Sequence, residues 1–377
     1  MASFPTTDGL TESVAKRKGS PCQQDDDCQD DKRIRSGADL LEDIFWYIHS
    51  LMPLRDAARA ACVSHSFLRS WRCYPYLMFS EELLRLQESA FSDDERTRNL
   101  ISKVNHILQN HSGIGVKKLE LVFLDSTDVD LSYIDSWLHK AVTRGIEELT
   151  LILPINSNAE YSFPCSLLSD GNDHSSILCY ALTNLLSIVP NVEKLRISSQ
   201  TQIVSTQTVP GKYLRLKHLH ISLNRSPNFD YLSLVSFLDA SPSLETFILH
   251  IWDIYIPLGH MGHPWTLGDS EQLRQMPGHR HDSLKKFEVV GSCYAKGLVE
   301  LTCHILETTS SLDRIKLDTC GYVGLCASGS GRCYPHYTEQ IMEACNSVLA
   351  IRTYIMGKVP PTVKFELVEP CSRCPVQ

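Results

Sequence analysis

The sequence predicts an α/β chain: a three-helix unit near the N-terminus, then an irregular solenoid with parallel strands on its concave side and helices on its convex side. Three observations carry this expectation. A short apolar phrase recurs seven times between residues 116 and 318. Helix-length apolar segments fill the gaps between its copies. Ahead of both lies LMPLRDAARAACVSHSFLRSW (residues 51–71), a proline-broken, alanine-rich stretch whose pieces are too short to build a core alone.

The 377 residues are 43% hydrophobic and 21% charged, which leaves room for a sizeable core. A net charge of −8, with no stripe of Lys and Arg, argues against general nucleic-acid binding, because phosphate contact needs clustered cations. The opening MASFPTTDGLTESVAKRKGS lacks the apolar centre of a signal peptide. The longest apolar stretch, ILCYALTNLLSIVP (177–190), is broken by Thr183, Asn184 and Ser187 and is too short to span a bilayer, so no membrane segment is expected. Without a secretory signal, the 14 cysteines read as reduced thiols. Cys320, Cys326 and Cys333 with His336 form one local cluster, and Cys371-x-x-Cys374 another. A zinc ribbon needs two true pairs and only one is present, so no metal is expected.

Residues 1–37 are polar and poor in aromatic and β-branched side chains, the composition of a disordered tail. Two basic clusters, Lys16-Arg17-Lys18 and Lys32-Arg33-Ile34-Arg35, flank Asp25, Asp26 and Asp27. They fit a two-part nuclear import signal or, equally, a solvated polyampholyte. Residues 38–80 hold the helical unit. Periodicity begins at Leu40, and Ile44, Ile48 and Leu51 make one apolar stripe. Pro53 ends that helix by removing a donor and crowding the preceding turn. Ala57, Ala58, Ala60, Ala61 and Val63 make a second helix, and Ser64 or Ser66 caps a third that carries Phe67 and Trp71 and stops before Pro75. Such a unit leans on the rest of the chain and shows apolar surface to another protein. Residues 81–112 read as a helical connector, with a capping box at Ser92 and Glu95, then Leu100, Ile101, Val104, Ile107 and Leu108 along one face.

Residues 113–368 carry the repeats, leaving 369–377 as a C-terminal tail. The phrases are VKKLELVF, IEELTLIL, VEKLRIS, LKHLHIS, LETFILH, LKKFEVV and LDRIKLD, starting at 116, 146, 192, 216, 244, 284 and 312. Their steps of 30, 46, 24, 28, 40 and 28 residues are close to those of leucine-rich repeats, with insertions at the two long steps. The Asn or Cys position usual in such repeats is met only by Asn224 and Cys320. Strand alternation sends the last two apolar residues of each phrase inward and the residue between them outward. The outward residues Glu120, Thr150, Arg196, His220, Ile248, Glu288 and Lys316, followed by Ser198, Ser222, His250 and Asp318, are the candidate binding surface on the concave face.

The segment LLEDIFWYIHSLMPLRDAARAACVSHSFLRSW resembles an F-box, the motif that docks on Skp1 in cullin-RING ubiquitin ligases. The matching blocks are the Leu-x-Glu-Asp-Ile opening, Met-Pro-Leu-Arg-Asp-Ala, Ala-Ala-Cys-Val-Ser and Phe-Leu-Arg-Ser-Trp. Leu41 stands where that family usually has proline. An F-box ahead of leucine-rich repeats is similar to plant F-box proteins, particularly those of the large grass families, and the stretch from LKKFEVVG to LDRIKLD resembles FBD-type endings. The resemblance implies a substrate-recruiting adaptor of a Skp1–cullin–F-box ligase. Leu40, Leu41, Ile44, Ile48, Leu51, Pro53, Leu54, Val63 and Trp71 would dock on a Skp1-like protein or hold the docking helices, and the repeats would take a target protein. No cofactor, nucleic acid or membrane is implied, and the place of action would be nucleus, cytoplasm or both. The rival readings are a leucine-rich scaffold without a degradation role and an enzyme with an unrecognised Cys/His site.

Motifs for catalysis are missing: there is no His-Glu-x-x-His, no Gly-x-Ser-x-Gly, and GLCASGSG (324–331) has no lysine to reach a phosphate. His260, His263, His279 and His281 share one loop, but that loop offers no carboxylate or cysteine at the spacing of a fourth ligand, so they read as solvated.

Overall fold

The computed structural model describes residues 37–84, 92–112, 116–123, 129, 131–141, 145–153, 177–199, 211–224, 229–252, 273–276, 279–291, 295–321 and 338–370. Two compact units divide the chain, Met1–Leu41 and Glu42–Gln377. Of the first, the described part is residues 37–41, the opening of helix α1 (Gly37–Ser50). The predicted tail and its basic clusters lie outside the described residues.

The second unit is built on nine parallel strands in chain order: β1 (Tyr76–Ser80), β2 (Lys118–Val122), β3 (Glu148–Ile152), β4 (Lys194–Ser199), β5 (His218–Asn224), β6 (Thr246–Trp252), β7 (Lys286–Val290), β8 (Arg314–Asp318) and β9 (Lys364–Val368). The seven phrases are β2 to β8. They align in register, so that Leu119, Leu149, Leu195, Leu219, Phe247, Phe287 and Ile315 form one inward row. Leu121, Leu151, Ile197, Ile221, Leu249, Val289 and Leu317 form the next, and each residue of both rows is at most 1% exposed. A shift of one residue in any strand would turn these rows to water, so the apolar pattern itself fixes the pairing.

The sheet is two strands longer than the phrases predict. β1 lies within the segment assigned to the helical unit, and Leu77 and Phe79 extend the two inward rows. Its outward residues, Tyr76 and Met78, are themselves apolar, which hid the alternation. β9 adds Phe365 and Leu367 opposite Ile315 and Leu317.

Helices cover the inward side. They are α4 (Asp93–Asn110), α5 (Leu131–Ala141), the pair α6 (Ile177–Leu182) and α7 (Asn184–Ile188), α8 (Val235–Ala240), α9 (Lys296–Thr308) and α10 (Thr338–Ala350). α4 starts with the predicted capping box, Ser92 accepting from Glu95 N and Glu95 accepting from Ser92 N. Buried polar groups tie the helices together. Trp137 Nε1 donates to Asn105 Oδ1 at 2.9 Å, Tyr180 Oη to Asp135 Oδ1 at 2.9 Å, and Tyr213 Oη to the Ala181 carbonyl at 2.6 Å. Leu298 to Leu306 of α9 are all buried, so this helix is enclosed on every side.

The short helices α2 (Leu54–Ala61) and α3 (His65–Trp71) join the same core through Leu54, Ala57, Ala61, Trp71 and Tyr74. The support predicted for them is therefore supplied by the repeats. Ser64 caps α3 by accepting from Ser66 N, and Pro53 precedes α2. The long insertions, 154–176 and most of 253–282, fall outside the described residues.

Candidate binding faces on the helices and the sheet

Two surfaces stand out, and each follows from which side of an element the core takes. On α1, Phe45, His49 and Met52 (just past its end) turn inward, at the same helical spacing as the Ile44, Ile48, Leu51 stripe. His49 is 1% exposed: its Nε2 donates to the Ala57 carbonyl at 2.8 Å, and its ring meets Phe67, Trp71 and Tyr74. Phe45 meets Phe67 edge-on with centroids 5.1 Å apart. Tyr74 Oη closes the corner by donating to the Met52 carbonyl at 2.5 Å.

The stripe of Ile44, Ile48 and Leu51 is thereby left outside. Ile44 is 49% exposed, Tyr47 61%, Ile48 41% and Leu51 68%, while Val63, just past α2, is 82% exposed. Pro53 is also exposed. Leu54 and Trp71 are buried and hold the helices rather than meet solvent. Leu40 and Leu41 sit in α1, with side chains outside the described set. Large apolar groups kept in water on well-anchored helices are the mark of a protein-contact face.

The second surface is the open side of the sheet. The register sets Met78, Glu120, Thr150, Arg196, His220, Ile248, Glu288, Lys316 and Glu366 in one continuous row, so all seven outward residues read from the sequence share a line. Beside it run Ser198, Ser222, His250 and Asp318. Ion pairs brace the ends. Lys118 meets Glu120 at 2.8 Å, Lys194 meets Glu148 at 2.5 Å, Lys286 meets Glu288 at 2.7 Å, and Lys316 meets Glu288 at 3.2 Å and Asp318 at 3.6 Å. Burial pushes the Glu288 carboxyl up, but the two lysines outweigh it and hold it below its usual range. Asp318 sits above its usual range because it is buried, only partly offset by the Cys320 N–H and Lys316.

At the middle, the His220 and His250 rings meet edge-on with centroids 4.4 Å apart, and Ser222 Oγ lies 3.4 Å from His220 Nε2. Burial, then the neighbouring His250 and Arg196, lowers His220 to about 4, and burial and Arg196 lower His250. Both imidazoles are therefore neutral at pH 7.

A third grouping escapes the one-dimensional view. His281 does not keep company with the histidines of its own loop alone. Its Nε2 lies 3.7 Å from Asp239 Oδ1 on α8, its ring is 6.1 Å from that of His304 on α9, and His279 Nδ1 is 3.4 Å from the same Asp239 oxygen. Sequence spacing could not join residues 239, 281 and 304. Among the described residues, no three or more His, Cys, Asp or Glu groups are assembled to hold a metal ion. His260, His263, Cys326, Cys333, Cys371 and Cys374 lie outside the described residues, and Cys320 is buried. No described helix is long and apolar enough to cross a membrane.

A single parallel sheet, one strand per repeat and helices on one side, defines a leucine-rich-repeat protein, an architecture that serves as a protein-binding scaffold. The family model of the At1g61320/AtMIF1 LRR domain matches residues 107–177 and 171–372, most of the chain, and the chain belongs to that family. The helical face at residues 44–71 lies ahead of the matched region. No curated protein matches the chain.

Proposed function

We propose that this chain is a substrate-recruiting adaptor of a Skp1–cullin–F-box ubiquitin ligase, with α1 to α3 docking on a Skp1-like protein and the open sheet face taking the target. The observation that carries this reading is the outward stripe of Ile44, Tyr47, Ile48 and Leu51, on a helix whose opposite side is pinned by Phe45 and His49. A monomer gains nothing from keeping that area wet, since burial is worth roughly 25 cal/mol per Å². A partner closing over it gains affinity from residues that the fold does not need.

In this reading the adaptor forms no covalent bond; transfer of ubiquitin follows from holding the target near an enzyme supplied by other subunits. The enclosed Cys303 thiol is pushed above its usual range by burial, the opposite of an activated nucleophile. The chain would act in the nucleus, the cytoplasm or both.

Co-expression with Skp1 tests the docking. Ile48→Glu and Leu51→Glu should abolish co-purification without lowering thermal stability, because both side chains are already in water. Retention of Skp1 by the double variant would remove the reading. A scaffold role without degradation is separated by deleting residues 38–75 in cells: an adaptor's target accumulates, a scaffold's does not.

A further inference from the structure

We propose that the middle of the open sheet face, at Arg196 on β4, His220 and Ser222 on β5 and His250 on β6, binds a phosphoryl group carried by a partner segment lying across these strands. The inference rests on the open face being the target surface, and it adds what that surface recognises.

Register places Arg196 beside His220, Ser198 beside Ser222, and Ser222 beside His250. Neighbouring strands are about 4.8 Å apart, so these side chains bound one small area. Among the described residues, most other cations on this face are paired with acids: Lys118 with Glu120 and Glu148, Lys194 with Glu148, Lys286 with Glu288, Lys316 with Glu288 and Asp318, and Arg314 with Glu366, while exposed Lys364 on the edge strand β9 has no such pair. Arg196 is the unpaired cation at the centre of the sheet. It is exposed, and no hydrogen bond or ion pair engages its guanidinium among the described residues. The acids facing the imidazoles from β7 and β8, Glu288 and Asp318, are held by Lys286 and Lys316, so the centre keeps an unbalanced positive charge.

Hydrogen-bonding capacity converges on the same place. His250 Nδ1 is buried with no partner, and Ser222 is 3% exposed. An arginine fork, two serine hydroxyls and two imidazoles offer more donors than the two oxygens of a carboxylate can use. They suit the three terminal oxygens of a phosphate monoester. Ile248 and Trp252 supply apolar contact beside the site for the residues flanking such a group.

Charge linkage gives the site a signature. An anion seated by Arg196 offsets the Arg196 charge that adds to burial in keeping both imidazoles neutral, so binding raises their proton affinity. Arg196, Glu288, Lys316 and Asp318 are the charged groups that face them.

The probes are inorganic phosphate, the capped tripeptide Ala-phosphoserine-Ala and its aspartate counterpart, added to the full chain carrying isotope-labelled histidine. Imidazole resonances of His220 and His250 should shift saturably with phosphate and phosphopeptide, and their titration midpoints should rise. The aspartate peptide should bind at least about tenfold more weakly, and Arg196→Gln should cost about tenfold or more in phosphopeptide affinity. Arg196→Gln leaves the core untouched and should leave Skp1 capture unchanged, which separates this site's failure from that of the adaptor reading. Unmoved or non-saturating resonances, equal response to aspartate, or equal response in Arg196→Gln would each overturn the proposal.

Discussion

Replacing Arg274 by methionine should destabilise the repeats although half of that side chain is in water. The guanidinium donates to Glu300 Oε2 from Nε at 2.9 Å and from Nη2 at 2.6 Å, and to the two Asp230 oxygens at 2.8 and 3.0 Å. Its own backbone N–H donates to Glu300 Oε1 at 2.8 Å. Glu300 lies on the enclosed α9 with its side chain 0% exposed, whereas Asp230 is 42% exposed and keeps its cap on Leu232 N. Methionine therefore strands one carboxylate inside the core. Stranding a buried charge costs about 3–5 kcal/mol. The surviving backbone hydrogen bond and the wet half of Arg274 bring the expected loss down to about 2–3 kcal/mol. Arg274→Met with Glu300→Met removes both charges, so the double variant should be more stable than the single one. Urea unfolding followed by far-ultraviolet circular dichroism reads all three proteins, with an unchanged denaturant slope as the control. A single variant within about 1 kcal/mol of the parent, or a double variant no more stable than Arg274→Met, would refute this reasoning.

Three further outcomes follow. Gly291 has φ +119°, and a Cβ there would stand 2.3 Å from the Ile251 carbonyl oxygen, so Gly291→Ala should lower stability by about 1–3 kcal/mol in the same assay. His111, His220, His250, His281 and His304 are all lowered, first by burial, so the native state binds fewer protons than the unfolded chain. Their contribution to stability is complete above the unfolded value near 6.5 and is lost as pH falls toward about 4, the His220 value; a urea midpoint that does not move between pH 7 and 5 would contradict it. Trp71→Ala should cost about 3–5 kcal/mol, because its ring stacks on Tyr74 and is 7% exposed, and thermal melting should show the loss.

The legible part of the fold was what repeats. Seven phrases correspond to seven strands in register, because two inward apolar residues flank an outward residue that is polar in every strand but β6, where it is Ile248. β1 was hidden where Tyr76 and Met78 put apolar side chains on the open face, and β9 where Thr362 stands at the phrase's first apolar position. Thr183 splits the one apolar run into α6 and α7. The outward row was legible residue by residue, since strand pairing needs only the alternation. The helical face was legible as a stripe, but its direction was not: Ile44–Ile48–Leu51 and Phe45–His49–Met52 have the same period, and only contact with Phe67, Trp71 and Tyr74 decides which one turns inward. The Asp239, His281 and His304 grouping depends on three elements far apart in the chain, which no local pattern encodes.

The most direct measurement is equilibrium binding of purified Skp1 to the full chain and to Ile48→Glu/Leu51→Glu, with melting temperatures recorded alongside. The account predicts saturable one-to-one binding by the parent, weakened at least about thirtyfold in the double variant while its melting temperature holds. Absence of binding by the parent, or equal binding by both proteins, would contradict it.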